Sequence, residues 1–284
     1  MKKKIAIITD TDSSLSPELA AQYQVRQVPI AIHFGNETFE TWEDIDDQHL
    51  FERIDKEGVI PKTSAPSPGM FVEAYQEAFD NGADEILCFT VSSGVSATYN
   101  SAMTAIEQFP DREITVIDTK SLTMGQGFMV LEAAQMRDKD ATREEILAAA
   151  EAIRDRTHLF FALPTLKYLA MSGRVGQLTA GMATILNIKP ILTVRDGKLD
   201  MLERVRTKRK SWARVVELCE QALDGGEIEQ MAMIHVNVPN EARELEALIR
   251  DKMLCPETSY LLDLTPGLSV HGGNGLAGIA FVVQ

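Results

Sequence analysis

At 284 residues the chain is too long for one minimal domain and fits two at ~150 residues each. Its 45% hydrophobic and 25% charged residues give the balance of a folded globular protein and exclude disorder, and no apolar run reaches the ~20 residues that span a bilayer. The net charge of −14 repels phosphate backbones, so no nucleic-acid partner is expected.

The start, Lys2-Lys3-Lys4 followed by Ile5-Ala6-Ile7-Ile8, imitates a secretion signal. Its apolar stretch is too short and runs straight into Thr9-Asp10, so it reads as the first buried strand of a cytoplasmic protein. Ser16 before Pro17 reads as a helix N-cap, and residues 25–32 as a second strand. Ser67-Pro68 opens a helix whose Phe71, Ala74, Tyr75, Ala78 and Phe79 share one face. Residues 86–89 and 114–117 are short, continuously apolar strands of the kind covered on both faces. Thr142-Arg143-Glu144-Glu145 is a capping box before Ile146, Ala149, Ala150 and Ile153. This alternation predicts an α/β fold with a parallel sheet flanked by helices in the first half.

After His158-Leu159-Phe160-Phe161-Ala162-Leu163 the character changes. The boundary is placed near residue 157, giving an N-terminal α/β domain over 1–157 and a second, smaller α/β domain over 158–284. A Gly/Ser hinge, Ser172-Gly173-Arg174-Val175-Gly176, leads into an apolar helix over 177–187. A strand near 189–194, a turn at Arg195-Asp196-Gly197-Lys198, a helix near 208–223 and a strand near 231–238 follow, then a helix after Pro239 and a last strand over 279–283. Cys88, Cys219 and Cys255 form no CxxC and no His/Cys metal spacing and read as inert core thiols. Neither a metal nor a cofactor is expected.

Three first-half strands end in hydroxyl-rich loops: Thr9-Asp10-Thr11-Asp12-Ser13-Ser14, Thr90-Val91-Ser92-Ser93-Gly94 and Asp118-Thr119-Lys120-Ser121. The carboxyl ends of parallel strands share one edge, where ligands bind, and Ser, Thr and Gly before helix N-termini offer hydroxyl and amide donors. Capping and turn formation explain any one such loop; three on one edge point to an anion site. Asp10-Thr11-Asp12-Ser13 also has the DxDx[ST] look of a metal-dependent phosphotransferase, with Asp10 as nucleophile and Asp12 as acid/base. That chemistry needs a later acidic pair for magnesium, and none is found: Asp46-Asp47 falls in a helical stretch and reads as a solvated face. Gly94-Val95-Ser96-Ala97-Thr98 lacks the second glycine of a nucleophile elbow, so Ser96 reads as a helix-start residue. No dinucleotide-binding GxGxxG follows a strand, and no Walker loop is present.

Taken in order, Thr9-Asp10-Thr11-Asp12-Ser13-Ser14, Thr63-Ser64-Ala65-Pro66-Ser67-Pro68-Gly69, the segment Ser92 to Ala102, Asp118-Thr119-Lys120-Ser121, Leu166-Lys167-Tyr168-Leu169, Ser172-Gly173-Arg174-Val175, Leu186-Asn187-Ile188-Lys189-Pro190 and His271-Gly272-Gly273-Asn274-Gly275 resemble the DegV family from end to end. The resemblance implies a two-domain α/β bacterial protein that binds one long-chain fatty acid in a buried tunnel. Some members present that acid to a separate fatty acid kinase, which phosphorylates its carboxylate. By the same resemblance, Thr63 meets the carboxylate, Ser93 contacts it with Ser92 close behind, and His271 completes the polar network. Arg174 falls near the tunnel mouth or a partner surface. The chain departs from the family pattern at Ser172, Ala97 and Gly273-Asn274, which leaves the hydroxyls and the histidine in place.

A tunnel needs apolar walls, for which Phe128, Phe160, Phe161, Leu178, Met182, Ile185 and Leu186 are the candidates. His33, His49, His158 and His235 show no partner pattern. One stretch breaks the acidic balance: Arg204, Arg206, Lys208, Arg209, Lys210 and Arg214 fall within eleven positions with no acid between Arg204 and Arg214. They cluster at a predicted helix start, where the dipole disfavours cations, so stability does not account for them. They read as a docking patch for a partner or for phosphate, and the family reading makes that partner the kinase.

Overall fold

A computed structural model describes residues 3–174 and 188–284. The chain runs β1 (Ile5–Asp10), a 3-10 turn (Thr11–Ser13), α1 (Pro17–Gln22), β2 (Val25–Val28), β3 (Ala31–Phe34), β4 (Glu37–Glu40), α2 (Asp47–Glu57), β5 (Lys62–Ser64), α3 (Pro68–Asp80), β6 (Glu85–Thr90), α4 (Thr98–Ile106), β7 (Glu113–Asp118), α5 (Met124–Asp138) and α6 (Arg143–Arg156). It continues as β8 (Thr157–Ala162), α7 (Lys167–Met171), β9 (Lys189–Arg195), β10 (Lys198–Val205), α8 (Lys208–Leu223), β11 (Ile228–His235), α9 (Pro239–Arg250), β12 (Tyr260–Asp263), α10 (Pro266–Gly272) and β13 (Ala277–Val283).

The first sheet is parallel throughout, in the order β2-β1-β6-β7. Every residue of β6 is buried, as its unbroken apolar run requires. The helices start where the chain chemistry dictates: the Ser16, Ser67 and Thr142 hydroxyls accept from the Leu19, Met70 and Glu145 amides, and Thr142 with Glu145 closes a capping box. The strand expected over 25–32 is two strands in different sheets. Pro29 carries no N–H and cannot continue a ladder, so the chain leaves the parallel sheet after β2 and enters a three-stranded antiparallel sheet, β4-β3-β5.

Among the described residues, every strand from Thr157 onward joins one mixed six-stranded sheet, β10-β9-β8-β13-β11-β12, in which only β11 and β12 pair in parallel. A two-residue turn joins β9 to β10. Asp196 (φ 50°) and Gly197 (φ 75°) both take the left-handed conformation such a hairpin demands. One face of this sheet packs on α8 and α9 through Phe160, Trp212, Cys219 and Phe281. The other shares a core with the first half: α5 is buried on almost all sides and touches both β1 and β6 of the parallel sheet and β8 and β13 of the mixed one. No helix among the described residues is long and apolar enough to cross a membrane.

Candidate functional site

The three hydroxyl-rich loops do meet at the carboxyl edge of the parallel sheet, and they are bonded to one another. Val91 N donates to Asp10 Oδ2 at 2.7 Å, Ser92 N to Ser121 O at 2.8 Å, and Thr123 N to Asp12 O at 2.7 Å. Asp10 is the organiser. Its carboxylate caps the 3-10 turn through Asp12 N and also accepts from the Gln126 amide at 3.3 Å. Burial raises its pKa, while these donors favour the charged form. Asp10 is fully buried with both carboxylate oxygens engaged as acceptors, the arrangement of a group that organises the loops rather than of an exposed nucleophile. Among the described residues, no group of three or more His, Cys, Asp or Glu is placed to hold a metal ion.

Beneath these loops lies a cavity lined largely by apolar side chains, part of it open to solvent. Phe161 and Leu192 from the mixed sheet and Leu163, just past β8, line it together with Leu122, Leu264 and Leu276. Among the described residues, its polar side chains are Asp12, Thr63, Ser64, Ser96, Arg174 and His271.

Thr63, on β5, and His271, on α10, come together in the structure. Thr63 Oγ1 lies 3.1 Å from His271 Nε2, and both line the cavity. Burial, with the positive Arg174 nearby, pushes the His271 pKa down to about 3, so the ring is neutral at ordinary pH. With its proton on Nε2, His271 donates to Thr63 and frees the threonine O–H to point at a ligand anion. Gly273 serves the site indirectly: at φ 88° it presents bare backbone to the Tyr168 ring, which a Cβ would approach to 2.2 Å. Arg174, just past α7, lines the cavity and donates to Ser172 O at 3.0 Å.

The Ser92-Ser93 pair is placed differently from expectation. Ser92 Oγ donates to Gly197 O at 2.6 Å, tying the loop to the β9–β10 turn, and Ser93 donates to the Asp118 carboxylate through both its hydroxyl and its amide. Among the described residues that line the cavity, this loop contributes Val95 and Ser96. Ser96, which sequence reasoning set aside as a helix start, bonds Thr98 Oγ1 at 2.8 Å and faces the cavity as well. A Ser-x-Thr step just before a helix was the available signal.

Phe160 and Phe161 show why neighbouring strand residues cannot both line a site, since side chains alternate across a sheet. Phe161 faces the cavity, whereas Phe160 turns to the α8–α9 side and packs 6.1 Å from the Phe281 ring. Phe128 sits in the shared core, 6.5 Å from Tyr260, rather than among the described cavity walls. Leu178, Met182, Ile185 and Leu186, with the helix expected over 177–187, lie outside the described residues.

Asp47 corrects another expectation. It is 4% exposed, not solvated, and accepts from Ser269 Oγ at 2.9 Å; burial raises its pKa to about 8. Its neighbour Asp46 is the exposed N-cap of α2. The basic run is exposed at the start of α8. Lys208 pairs with Glu241 and lies 4.6 Å over Trp212, and Arg214 pairs with Glu203 and Glu217, while Arg204, Arg206, Arg209 and Lys210 face solvent.

Residues 4–284 match the family model described as "Uncharacterised protein, DegV family". The chain belongs to the DegV family. A DegV domain-containing protein of Halalkalibacterium halodurans is 30% identical over 281 residues, covering 99% of each chain. The fold is that of a DegV family protein from Thermus thermophilus described for its fatty acid binding, at 28% identity and a TM-score of 0.90 over 99% of this chain and 100% of that one. It is equally that of Bacillus subtilis DegV, described as a fatty acid binding protein, at 26% identity and a TM-score of 0.89 over 99% and 100% of the two chains. The helix-flanked parallel sheet of this DegV chain is common to both structures.

Proposed function

We propose that this DegV protein is a carrier that binds one long-chain fatty acid, its acyl chain along the Phe161–Leu192 wall and its carboxylate at Thr63, Ser96 and His271. The observation that carries this reading is the Thr63–His271 pair, a hydroxyl and a neutral imidazole bonded in the wall of a largely apolar cavity. The fatty acid binding described for the Thermus thermophilus and Bacillus subtilis proteins supports it. The energetics divide in the same way. Each buried CH₂ contributes ~0.8 kcal/mol, so a sixteen-carbon chain gains roughly 10 kcal/mol before ordering costs, whereas a hydrogen bond to an ion nets ~1.5–3 kcal/mol. The tail supplies affinity and the polar end supplies orientation. In this reading Ser92 and Ser93 shape the loop that positions Ser96.

The carrier presents its acid to a fatty acid kinase, which phosphorylates the carboxylate. The exposed Arg204, Arg206, Arg209 and Lys210, on a chain of net charge −14, support a docking role for that face. Mass spectrometry of the purified protein, native and after organic extraction, tests the ligand class. A stoichiometric C14–C18 fatty acid is expected. Protein that is empty and stays empty when offered palmitate or oleate overturns the reading.

A further inference from the structure

Asp12 is a cavity wall residue whose charge does not suit an anion site. Its main chain is fixed from both sides, with its N–H on Asp10 Oδ1 at 3.0 Å and its C=O on the Thr123 amide at 2.7 Å. The side chain is 5% exposed yet lines the cavity, and among the described residues Oδ1 has no hydrogen-bond partner. The first turn of α10 closes over that oxygen: a Cβ on Gly267 would come within 2.7 Å of Oδ1 and 3.0 Å of Ile30. An ionised carboxylate whose oxygen is held against bare backbone lacks the donors it needs. A protonated carboxyl has an O–H to give, as Thr63 and Ser96 do.

Resting on the fatty-acid reading, we propose that Asp12 stands as a neutral carboxylic acid and donates its proton in a hydrogen bond to the ligand carboxylate, a further head-group contact beside Thr63, Ser96 and His271.

The charges around Asp12 act in this direction. Asp10, at the end of β1, is stabilised as an anion by the Val91 and Asp12 amides, and its charge together with burial favours the neutral form of Asp12. From α10 comes His271, neutral at ordinary pH, and from α5 the uncharged Gln126, which bonds Asp10. Arg174 is the cation on this side; it favours ionised Asp12, and a bound carboxylate competes for that same positive charge. With the ligand in place, two carboxyl groups in a space of low dielectric share one proton, as like charges held close must.

Titration of oleate into the wild type, Asp12→Asn and Asp12→Ala at pH 7, read by calorimetry, tests the contact. The asparagine keeps a donor and is expected to bind within about threefold of wild type. The alanine loses the donor and is expected to bind about tenfold or more weakly, as a lost hydrogen bond to an ion implies. If both variants bind as tightly as wild type or tighter, Asp12 is an ionised group that repels the ligand, and the proposal is overturned. Carboxyl carbon NMR of aspartate-labelled wild type with oleate gives an answer that needs no variant to fold. One protonated aspartate that shifts on adding oleate is expected, and an ionised Asp12 in the complex overturns the proposal. Wild type that binds no oleate at all instead overturns the fatty-acid reading on which the contact rests.

Discussion

Thr63 Oγ1 and His271 Nε2 stand 3.1 Å apart across 208 residues of sequence, so the polar end of the cavity exists only once β5 and α10 are docked. The pair is local to neither half of the chain. Any ligand held there depends on tertiary structure, and the hydroxyl and the ring act as a unit.

The first prediction follows from that pairing. Thr63→Val keeps the shape and removes the hydroxyl, so both His271 and the ligand carboxylate lose a partner. Palmitate affinity is expected to fall about tenfold or more, given ~1.5–3 kcal/mol for a hydrogen bond to an ion, while Thr63→Ser retains most of it. Calorimetric titration reads the effect, and equal affinity in Thr63→Val would show that the carboxylate lies elsewhere.

A second prediction separates the serines. Ser93→Ala removes a bond to Asp118 on the outer side of the loop and is expected to leave palmitate affinity within about threefold. Ser96→Ala removes a hydroxyl that faces the cavity and is expected to weaken binding severalfold or more. The opposite ranking would return the contact to Ser93.

The pH dependence of stability carries two opposed contributions. Burial raises the Asp47 pKa to about 8, so between about pH 4 and 8 the native state holds a proton that the unfolded chain has lost, and stability falls as pH rises. His271, pushed down to about 3, behaves in the opposite sense: the unfolded chain takes up a proton below about pH 6.5 and the native state does not, so stability falls as pH drops toward 3. Asp47→Asn is expected to raise unfolding free energy by about 1 kcal/mol or more at pH 8 and little at pH 4. Denaturant titrations at the two pH values check it, and an equal effect at both would mean that Asp47 is ionised in the native state.

Much of this arrangement was legible in the sequence because local rules governed it. Ser16, Ser67 and Thr142 cap helices where their spacing to proline or glutamate indicates, and β6 is buried where its apolar run is unbroken. The DegV resemblance singled out Thr63 and His271 separately, and their pairing is contained in no local pattern. What escaped was side-chain direction. Whether Ser93 or Ser96 turns inward depends on Asp118 and Gly197 being there to take the first two serines of the loop. Asp47 looked like a surface acid because Ser269, which bonds it, lies 222 residues away. Pro29, which divides what looked like a single strand, was a local signal missed, as was the Ser96-x-Thr98 step.

The basic face gives a prediction independent of the cavity. Arg204 and Arg206 are exposed and are not among the described residues that line it. Replacing both by glutamate is expected to leave oleate affinity unchanged and to slow kinase-dependent phosphorylation of bound oleate, more so at low salt, where complementary charges steer encounter. Unchanged phosphorylation across salt concentrations would remove this face from the docking proposal.

Adjacent phenylalanines on β8 provide the sharpest separation of stability from ligand binding. Phe160 packs with Trp212 and Phe281 beneath α8, so Phe160→Ala leaves a cavity in that core and is expected to cost ~3–5 kcal/mol of stability. On the proposed acyl path the chain does not meet it, and palmitate affinity in the folded protein is expected to hold. Phe161 faces the ligand cavity across the sheet. Phe161→Trp adds bulk there and is expected to shift the preferred acid toward shorter chains, read by competition among C12, C14, C16 and C18 acids. A chain-length shift in Phe160→Ala with none in Phe161→Trp would place the acyl chain on the α8 side of the sheet.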